Sequence, residues 1–398
     1  MTGARSFETA DGMSGIWPGA PDRWSYSTLS EVRACPRRYA LRRASYPDVW
    51  DRPGYPDRLT EAAIVGTAVH EGVELVLREL SEAGCASLAD EQAVAVVRRL
   101  GGYGKIAARC VDQQLVRLAL NPRMAPGLDG LRARLERRTP EMRRGIQRLV
   151  SQSPVTPSGR KRSSDQRTDS AVRVSLSEGG HPEAALLAES VRFGGRVDLL
   201  IVHSDRADIV DFKTGQASES HKLQLQLYGL LWQLDEAANP RRLPVGSLVL
   251  GYVAGAQQVE PPSDWEGLSE WLQDEIDKAD SLVVAPSPAA TPSVDCWHCP
   301  VRQLCDEYWL SPFTTRDPES TFADAEVSVV GQNGPTSWLG RLTSDRTEVL
   351  LRGRTDEQIP PPGSDLRILD AVVGSAEDFD GLILTMTHNS EVFGPLGQ

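Results

Sequence analysis

The sequence has no run of about 18 consecutive apolar residues, so no membrane-crossing helix and no membrane partner are expected. Its opening stretch, MTGARSFETADGMSGIWPGAPDRW, has no basic flank followed by an apolar segment, so no secretion signal is expected. The expected compartment is therefore a reducing cytoplasm, where disulfides do not persist. Positive charge is in deficit, with a net charge of -12, which argues against a simple nucleic-acid-binding protein. Lysine is scarce, present only as Lys105, Lys161, Lys213, Lys222 and Lys278. What is present is a 398-residue chain with 40% apolar residues, enough for a large core and two or three domains.

The charge is segregated. Arg98 to Arg148 holds 13 Lys/Arg and 4 Asp/Glu, a net of +9. Such a segment reads either as a surface facing a polyanion or as a solvated helical face. Residues 1–22 read as a flexible N-terminal tail. Ser27 or Thr28 is the expected cap of a helix carrying Leu29, Val32, Tyr39 and Leu41. GTAVHEGVELVLREL, entered at Gly66 and Thr67, has the apolar spacing of a helix. Residues of about 85–150 read as a helical insertion, broken near NPRMAPGLDG. The polar stretch of about 151–180 reads as a mobile loop.

From residue 184 the period shortens. EAALLAESVRF, GRVDLLIVH and ADIVDFKTG read as three strands, with Gly194-Gly195 as a hairpin turn and SDRA as a second turn. A helix (SESHKLQLQLYGLLWQLDEA), a strand (VGSLVLGYVAG) and a helix opened by Asp264 follow. Residues 320–398 contain five short strands separated by Gly/Pro turns, which fits a small barrel of the OB type, with an SH3-like barrel as the alternative. That segment is acidic, with 5 Arg and 12 Asp/Glu, and has few aromatics (Phe322, Trp338, Phe379, Phe393). This favours docking to protein over gripping single-stranded nucleic acid.

Asp198 and Asp211 stand inside two apolar strands, and Lys213 follows the second acid at a spacing that shares its strand face. A buried carboxylate is costly unless it is paired, hydrogen-bonded or on a metal. Two neighbouring carboxylates suit a hard divalent cation, Mg²⁺ or Mn²⁺. With a lysine beside them, the set suits metal-assisted hydrolysis of a phosphodiester. The alternative is a pair of strand-end acids with a solvated lysine.

The six cysteines are Cys35, Cys85, Cys110, Cys296, Cys299 and Cys305. DCWHCPVRQLC sets three of them at C-x2-C-x5-C, a density that suggests metal binding in a reducing compartment. Tetrahedral thiolate chemistry needs a fourth soft ligand. Cys35 is the candidate, although spacing alone does not select it over Cys85 or Cys110, which lie in helical patterns and read as buried.

Four segments, in order, resemble the PD-(D/E)xK nuclease superfamily and its RecB-like branch: GTAVHEGVE, GRVDLL, DFKTG and QLQLY. The resemblance implies His70, Asp198 and Asp211 as metal ligands and Lys213 as the catalytic lysine. It implies that Gln224 and Tyr228 organise the lysine and the DNA, with Gln226 as a shifted register. It extends to the iron–sulfur nucleases of the AddB and CRISPR-associated exonuclease type, which implies a [4Fe-4S] cluster on Cys35, Cys296, Cys299 and Cys305. Zinc is the structural alternative.

The expected fold is α/β: a restriction-endonuclease-like mixed-sheet core over residues 23–312 with inserted helices, followed by an OB-like barrel over 320–398. The expected function is a Mg/Mn-dependent DNA nuclease, an exonuclease on single-stranded or end-containing DNA, in repair, recombination or anti-phage defence. The alternative is a non-cleaving DNA-binding or scaffolding subunit. No G-x4-G-K-[ST] loop occurs, so unwinding would fall to a partner such as a helicase or another subunit of a DNA-processing or defence complex.

Overall fold

The computed structural model describes residues 5–8, 14–157, 173–311, 321–353, 361–376 and 379–394. Of the segments expected as tail and loop, residues 1–4, 9–13 and 158–172 lie outside the described residues. The chain divides into two units: Met1–Ala20 with Glu31–Asp57 and Ala279–Gln398, and Pro21–Ser30 with Arg58–Lys278.

Near the N-terminus, β1 (Ser6–Glu8) and β2 (Ser14–Ile16) pair antiparallel, and Trp17 after them is buried. Two helices follow, α1 (Tyr26–Ala34) and α2 (Pro36–Arg43), where one was expected. Pro36 disfavours helical backbone at Cys35, which is extended and caps the second helix by accepting from the Arg38 amide at 3.4 Å. The cap of the first is Ser25 rather than Ser27 or Thr28. Ser25 Oγ accepts from the Thr28 amide at 3.3 Å, and Thr28 Oγ1 accepts from the Ser25 amide at 2.9 Å.

In the larger unit, α3 (Glu61–Glu82) starts five residues before the expected Gly66 entry, because Thr60 caps it by accepting from the Ala63 amide. It is followed by α4 (Glu91–Arg99), α5 (Gly102–Leu118), α6 (Leu128–Arg137) and α7 (Thr139–Gln152). Apolar positions on α3, α5 and α7, among them Ile64, Val73, Ile106 and Ile146, form one core with Leu199, Ile201, Val210 and Phe212 of the sheet. Many of the basic side chains are ion-paired: Arg99 to Glu79, Arg117 to Glu71, Arg132 to Asp112, and Arg134 and Arg138 to Glu61. Five of the thirteen basic side chains between Arg98 and Arg148 are thus met by acids of the same helices or of α3.

The sheet contains β3 (Gly179–Ala188), β4 (Phe193–Val202), β5 (Ala207–Lys213), β6 (Val245–Tyr252) and β7 (Gly255–Val259), in that order. Neighbours are antiparallel except β5 and β6, which are parallel and joined through α8 (Glu219–Leu234). A parallel step requires such a crossover. Helix α9 (Trp265–Val283) follows, and Asp264 accepts from the Gly267 amide as expected. The β3–β4 turn is made by Glu189–Val191 and Arg192, not by the glycine pair. Gly194 and Gly195 lie inside β4, opposite Leu187 and Leu186. The glycine at 195 has a packing cause: a Cβ there would stand 2.7 Å from the Tyr228 ring.

In the smaller unit, α2 packs in one apolar cluster with Trp17, Tyr46, Cys299, Val301 and Leu304. After the short helix α10 (Asp306–Trp309) come β8 (Phe322–Gly334), β9 (Ser337–Leu342), β10 (Glu348–Arg352), β11 (Asp365–Ala376), β12 (Phe379–Thr385) and β13 (Glu391–Phe393). β8, β9, β10, β12 and β11 pair in a ring that returns to β8, with β10 and β12 parallel, and β13 adds to β11. Val327, Trp338, Val349, Ile368 and Leu384 are buried in its core. Closing a sheet in this way removes exposed edges. The molecule is thus mixed α/β, and its C-terminal ring of strands is consistent with an OB-like domain.

Candidate active site

Asp198 and Asp211 sit where β4 and β5 part. The ladder between these strands begins at Leu199 and Val210, one residue beyond Asp198 and Asp211. Asp198 Oδ2 takes the Phe212 amide at 2.5 Å, so its carboxylate completes the hydrogen bonding where the ladder stops. His70 on α3 approaches from the other side, with Nδ1 3.6 Å from Asp198 Oδ2. Burial works to lower the His70 pKa, but the Asp198 carboxylate outweighs it and leaves it above the ordinary histidine value.

Asp211 is almost wholly buried. Its Oδ2 lies 2.6 Å from Lys213 Nζ, but without hydrogen-bond geometry. Burial, and then the charge of Asp198, push its pKa up, against the opposing pull of Lys213. Lys213 Nζ donates to Gln224 Oε1 at 2.9 Å, and Gln224 Nε2 donates to Tyr228 OH at 2.9 Å. Gln224 and Tyr228 are one turn apart on α8, so one helix face presents both. Gln226 points elsewhere and donates to the Glu260 carbonyl. The structure therefore joins all six residues of the expected set in one electrostatic cluster, with Asp211, Lys213, Gln224 and Tyr228 as a continuous chain.

The approach of α3 to this cluster depends on Gly66, where a Cβ would meet Thr214 Oγ1 at 3.0 Å. Among the described residues, no three His, Cys, Asp or Glu side chains are grouped as ligands of a single metal ion. His70, Asp198 and Asp211 are engaged with protein partners instead.

Two neighbours of the site were not legible in the sequence. Glu183 on β3 lies between the paired positions that flank Asp198, in a left-handed backbone conformation with φ 55°. Such a conformation is uncommon for a residue with a Cβ. Burial, then Asp198 and Glu74, push its pKa up to about 7. His221, one turn before Gln224, contacts Tyr252 OH at 3.0 Å, and burial and Lys213 lower its pKa.

The Glu183 shift has a sign that can be checked. The folded protein holds this proton more tightly than the unfolded chain. Stability present below the ordinary pKa of 4.5 is therefore lost as pH rises through about 7. Relative to wild type, Glu183→Gln should gain about 1–2 kcal/mol across that window, after discounting for partial exposure. Urea unfolding at several pH values measures this.

In the smaller unit, Cys35, Cys296, Cys299 and Cys305 line one cavity together with Arg37 and Arg38. Cys85 and Cys110 are buried, as expected, but only Cys110 is helical, on α5, whereas Cys85 lies in the connection between α3 and α4. Burial pushes the Cys299 thiol up to about 11, opposed by the Val301 amide and Arg38. Arg302 in this segment is buried and holds Asp324 at 2.7 Å and Asp370 at 2.8 Å. Arg367 donates to the Gln303 carbonyl at 2.7 Å. The cysteine segment and the strand ring of this unit are thus joined by buried charge pairs.

Comparison with known proteins supports the superfamily. The model of the PD-(D/E)XK nuclease superfamily matches residues 23–306. No curated protein matches. Solved structures with local likeness include the p204 HINb domain, at 16% identity over 49% of this chain and 82% of that one, TM-score 0.17. SSO0001 matches at 18% identity over 32% of this chain and 59% of its own, TM-score 0.20. A murine DNA-binding protein bound to double-stranded DNA matches at 10% identity over 52% and 87%, TM-score 0.17. Such scores carry no argument, whereas the family match spans well over half of the sequence and all of the motif residues. The chain belongs to the PD-(D/E)XK nuclease superfamily.

Proposed function

We propose that this protein is a Mg²⁺- or Mn²⁺-dependent deoxyribonuclease of the RecB-like branch, acting as an exonuclease on single-stranded or end-containing DNA. The observation that carries this reading is the chain from Asp211 through Lys213 and Gln224 to Tyr228, with Asp198 and His70 beside it. His70, Asp198 and Asp211 would hold the cation. A bound cation supplies a Lewis acid at the phosphate oxygen and lowers the pKa of an attacking water. Burial and the neighbouring Asp198 carboxylate raise the cost of the Asp211 charge, which a cation would offset. Gln224 fixes the Lys213 ammonium, which orients the water and faces the charge that develops on the phosphate. Tyr228 fixes the Gln224 amide. The nuclease domain is taken as residues 23–312 and the OB-like domain as 320–398, the acidic charge of which favours a protein partner in DNA repair, recombination or defence.

Cys35, Cys296, Cys299 and Cys305 are the ligands for a [4Fe-4S] cluster. Their placement around one cavity supports this, as do Arg37 and Arg38 beside thiols that would carry negative charge. Each iron of such a cluster takes one cysteine, so four thiols around a cavity suit it without converging on one point. When bound, the group supplies a covalent staple between positions 261 residues apart in sequence.

Two measurements test the reading. Protein purified without oxygen should be brown, carry about four irons by the cluster stoichiometry, and lose both properties in Cys299→Ser. A colourless protein loaded with zinc contradicts the cluster. DNA labelled at either end and incubated with Mn²⁺ should release label as short products from one end first. Internal cuts in circular single strands contradict the exonuclease mode.

A further inference from the structure

The larger unit has a second feature beside the acid–lysine cluster: a cavity of about 220 Å³ lined by Arg23, Arg173, Arg196, Gly194 and Gly195. Its guanidinium groups are not equivalent. Arg173 is held by Asp235, a fully buried carboxylate that also takes the Leu187 amide at 2.8 Å, so this pair is internally neutral. Arg196 is mostly exposed and stands 3.7 Å from Glu183, a loose pair. Arg23 has no ion-pair partner among the described residues.

The position of Arg23 is nevertheless fixed. Trp24 is fully buried and bridges β4 in parallel: its amide donates to the Arg192 carbonyl at 2.8 Å, and its carbonyl accepts from the Gly194 amide at 2.9 Å. Two hydrogen bonds and a buried indole thus hold the backbone beside Arg23 against the cavity wall. The Arg23 side chain lies against Gly194, where a Cβ would stand 3.5 Å from Arg23 Cδ, an ordinary contact distance. The backbone at Arg23 is thus anchored beside a concavity with an excess of positive charge, an arrangement that suits an oxyanion.

Its location gives the class of anion. Arg196 precedes Asp198 by two residues on one strand, a separation of about 7 Å. Gly195 packs against Tyr228, the last member of the lysine chain. A strand whose scissile phosphate lay at Asp198 and Lys213 would place a neighbouring phosphate along β4, toward the cavity. We infer that Arg23 and Arg196 form a seat for a non-scissile backbone phosphate of a single nucleic-acid strand. The inference rests on the DNA substrate proposed above. The seat makes the cleaved strand's register, rather than the metal alone, decide which bond is presented.

The test is the salt dependence of binding of a labelled single-stranded oligonucleotide in the absence of divalent metal. Arg23→Ala and Arg196→Ala should each weaken binding several-fold. Each should lower the slope of log affinity against log salt by about 0.7, the value of one phosphate contact on a single strand. Arg242→Ala, which removes an exposed arginine paired with Glu236 elsewhere in the unit, should leave the slope unchanged. Arg23→Lys should recover most of the slope. Unchanged slopes in both alanine variants would overturn the seat. Failure of the wild type to cut with Mg²⁺ or Mn²⁺ counts against the proposed nuclease alone, because the slopes still decide the seat.

Discussion

Asp211→Asn should lower cleavage by roughly 10²–10⁴-fold and at the same time stabilise the metal-free protein. The two effects have one cause. Asp211 is nearly inaccessible, and its charge is disfavoured by burial and by Asp198 more than it is favoured by Lys213. An amide of the same shape has no such charge to bury. Above pH 7 the gain should be on the order of 1–3 kcal/mol, because a carboxyl with a raised pKa is least favourable once ionised. Activity and stability measured on one preparation at pH 8 check both signs. A variant that lost activity and stability together would point to a purely structural carboxylate.

The second large effect belongs to the smaller unit. Arg302→Ala should destabilise it by about 3–5 kcal/mol, the cost of breaking a buried pair and leaving one charge behind. The charge left behind is Asp324, which is fully buried and retains Tyr308 OH at 2.7 Å and the Asp370 amide at 2.8 Å. A loss of that size is a large share of a domain's net stability. Adding Asp324→Asn to Arg302→Met should restore more than half of it, since the two buried charges are then gone and the remaining acid, Asp370, is partly exposed. Denaturant unfolding gives the totals, and hydrogen exchange in β8 and β11 should report the loss locally. An Arg302→Ala protein within about 1 kcal/mol of wild type would mean that the pair is solvated.

These effects separate what the sequence expressed from what it did not. Asp198, Asp211 and Lys213 were legible because local spacing suffices: acids inside apolar strands, and a lysine two residues on. Gln224 and Tyr228 were singled out only by the resemblance of QLQLY to the superfamily's motif, since a helix-surface amide and a core tyrosine carry no local mark of their role. Glu183 was not, because its role comes from a cross-strand position and from a positive φ that HPEAALL does not announce. The glycine pair at 194 and 195 read as a turn because the local rule for Gly-Gly is a turn. Tyr228, 33 residues later, is what requires the glycine at 195. Likewise, the split at Cys35 follows from Pro36 and was open to prediction, whereas the bridge from Trp24 to β4 joins segments about 170 residues apart and left no local trace. The basic run from Arg98 to Arg148 was plain as composition. Only the structure shows how many of its arginines face the acids of α3 and α5.

The account's central claim is that this site cuts DNA by a metal-dependent route that needs Lys213. The direct measurement is single-turnover cleavage of labelled DNA by wild type and by Lys213→Ala, with Mn²⁺ and with chelator. Wild type with Mn²⁺ should cut, chelator should stop it, and Lys213→Ala should be slower by roughly 10²–10⁴-fold while binding the same DNA. Cleavage that persists in Lys213→Ala at the wild-type rate, or in chelator, would contradict the assignment.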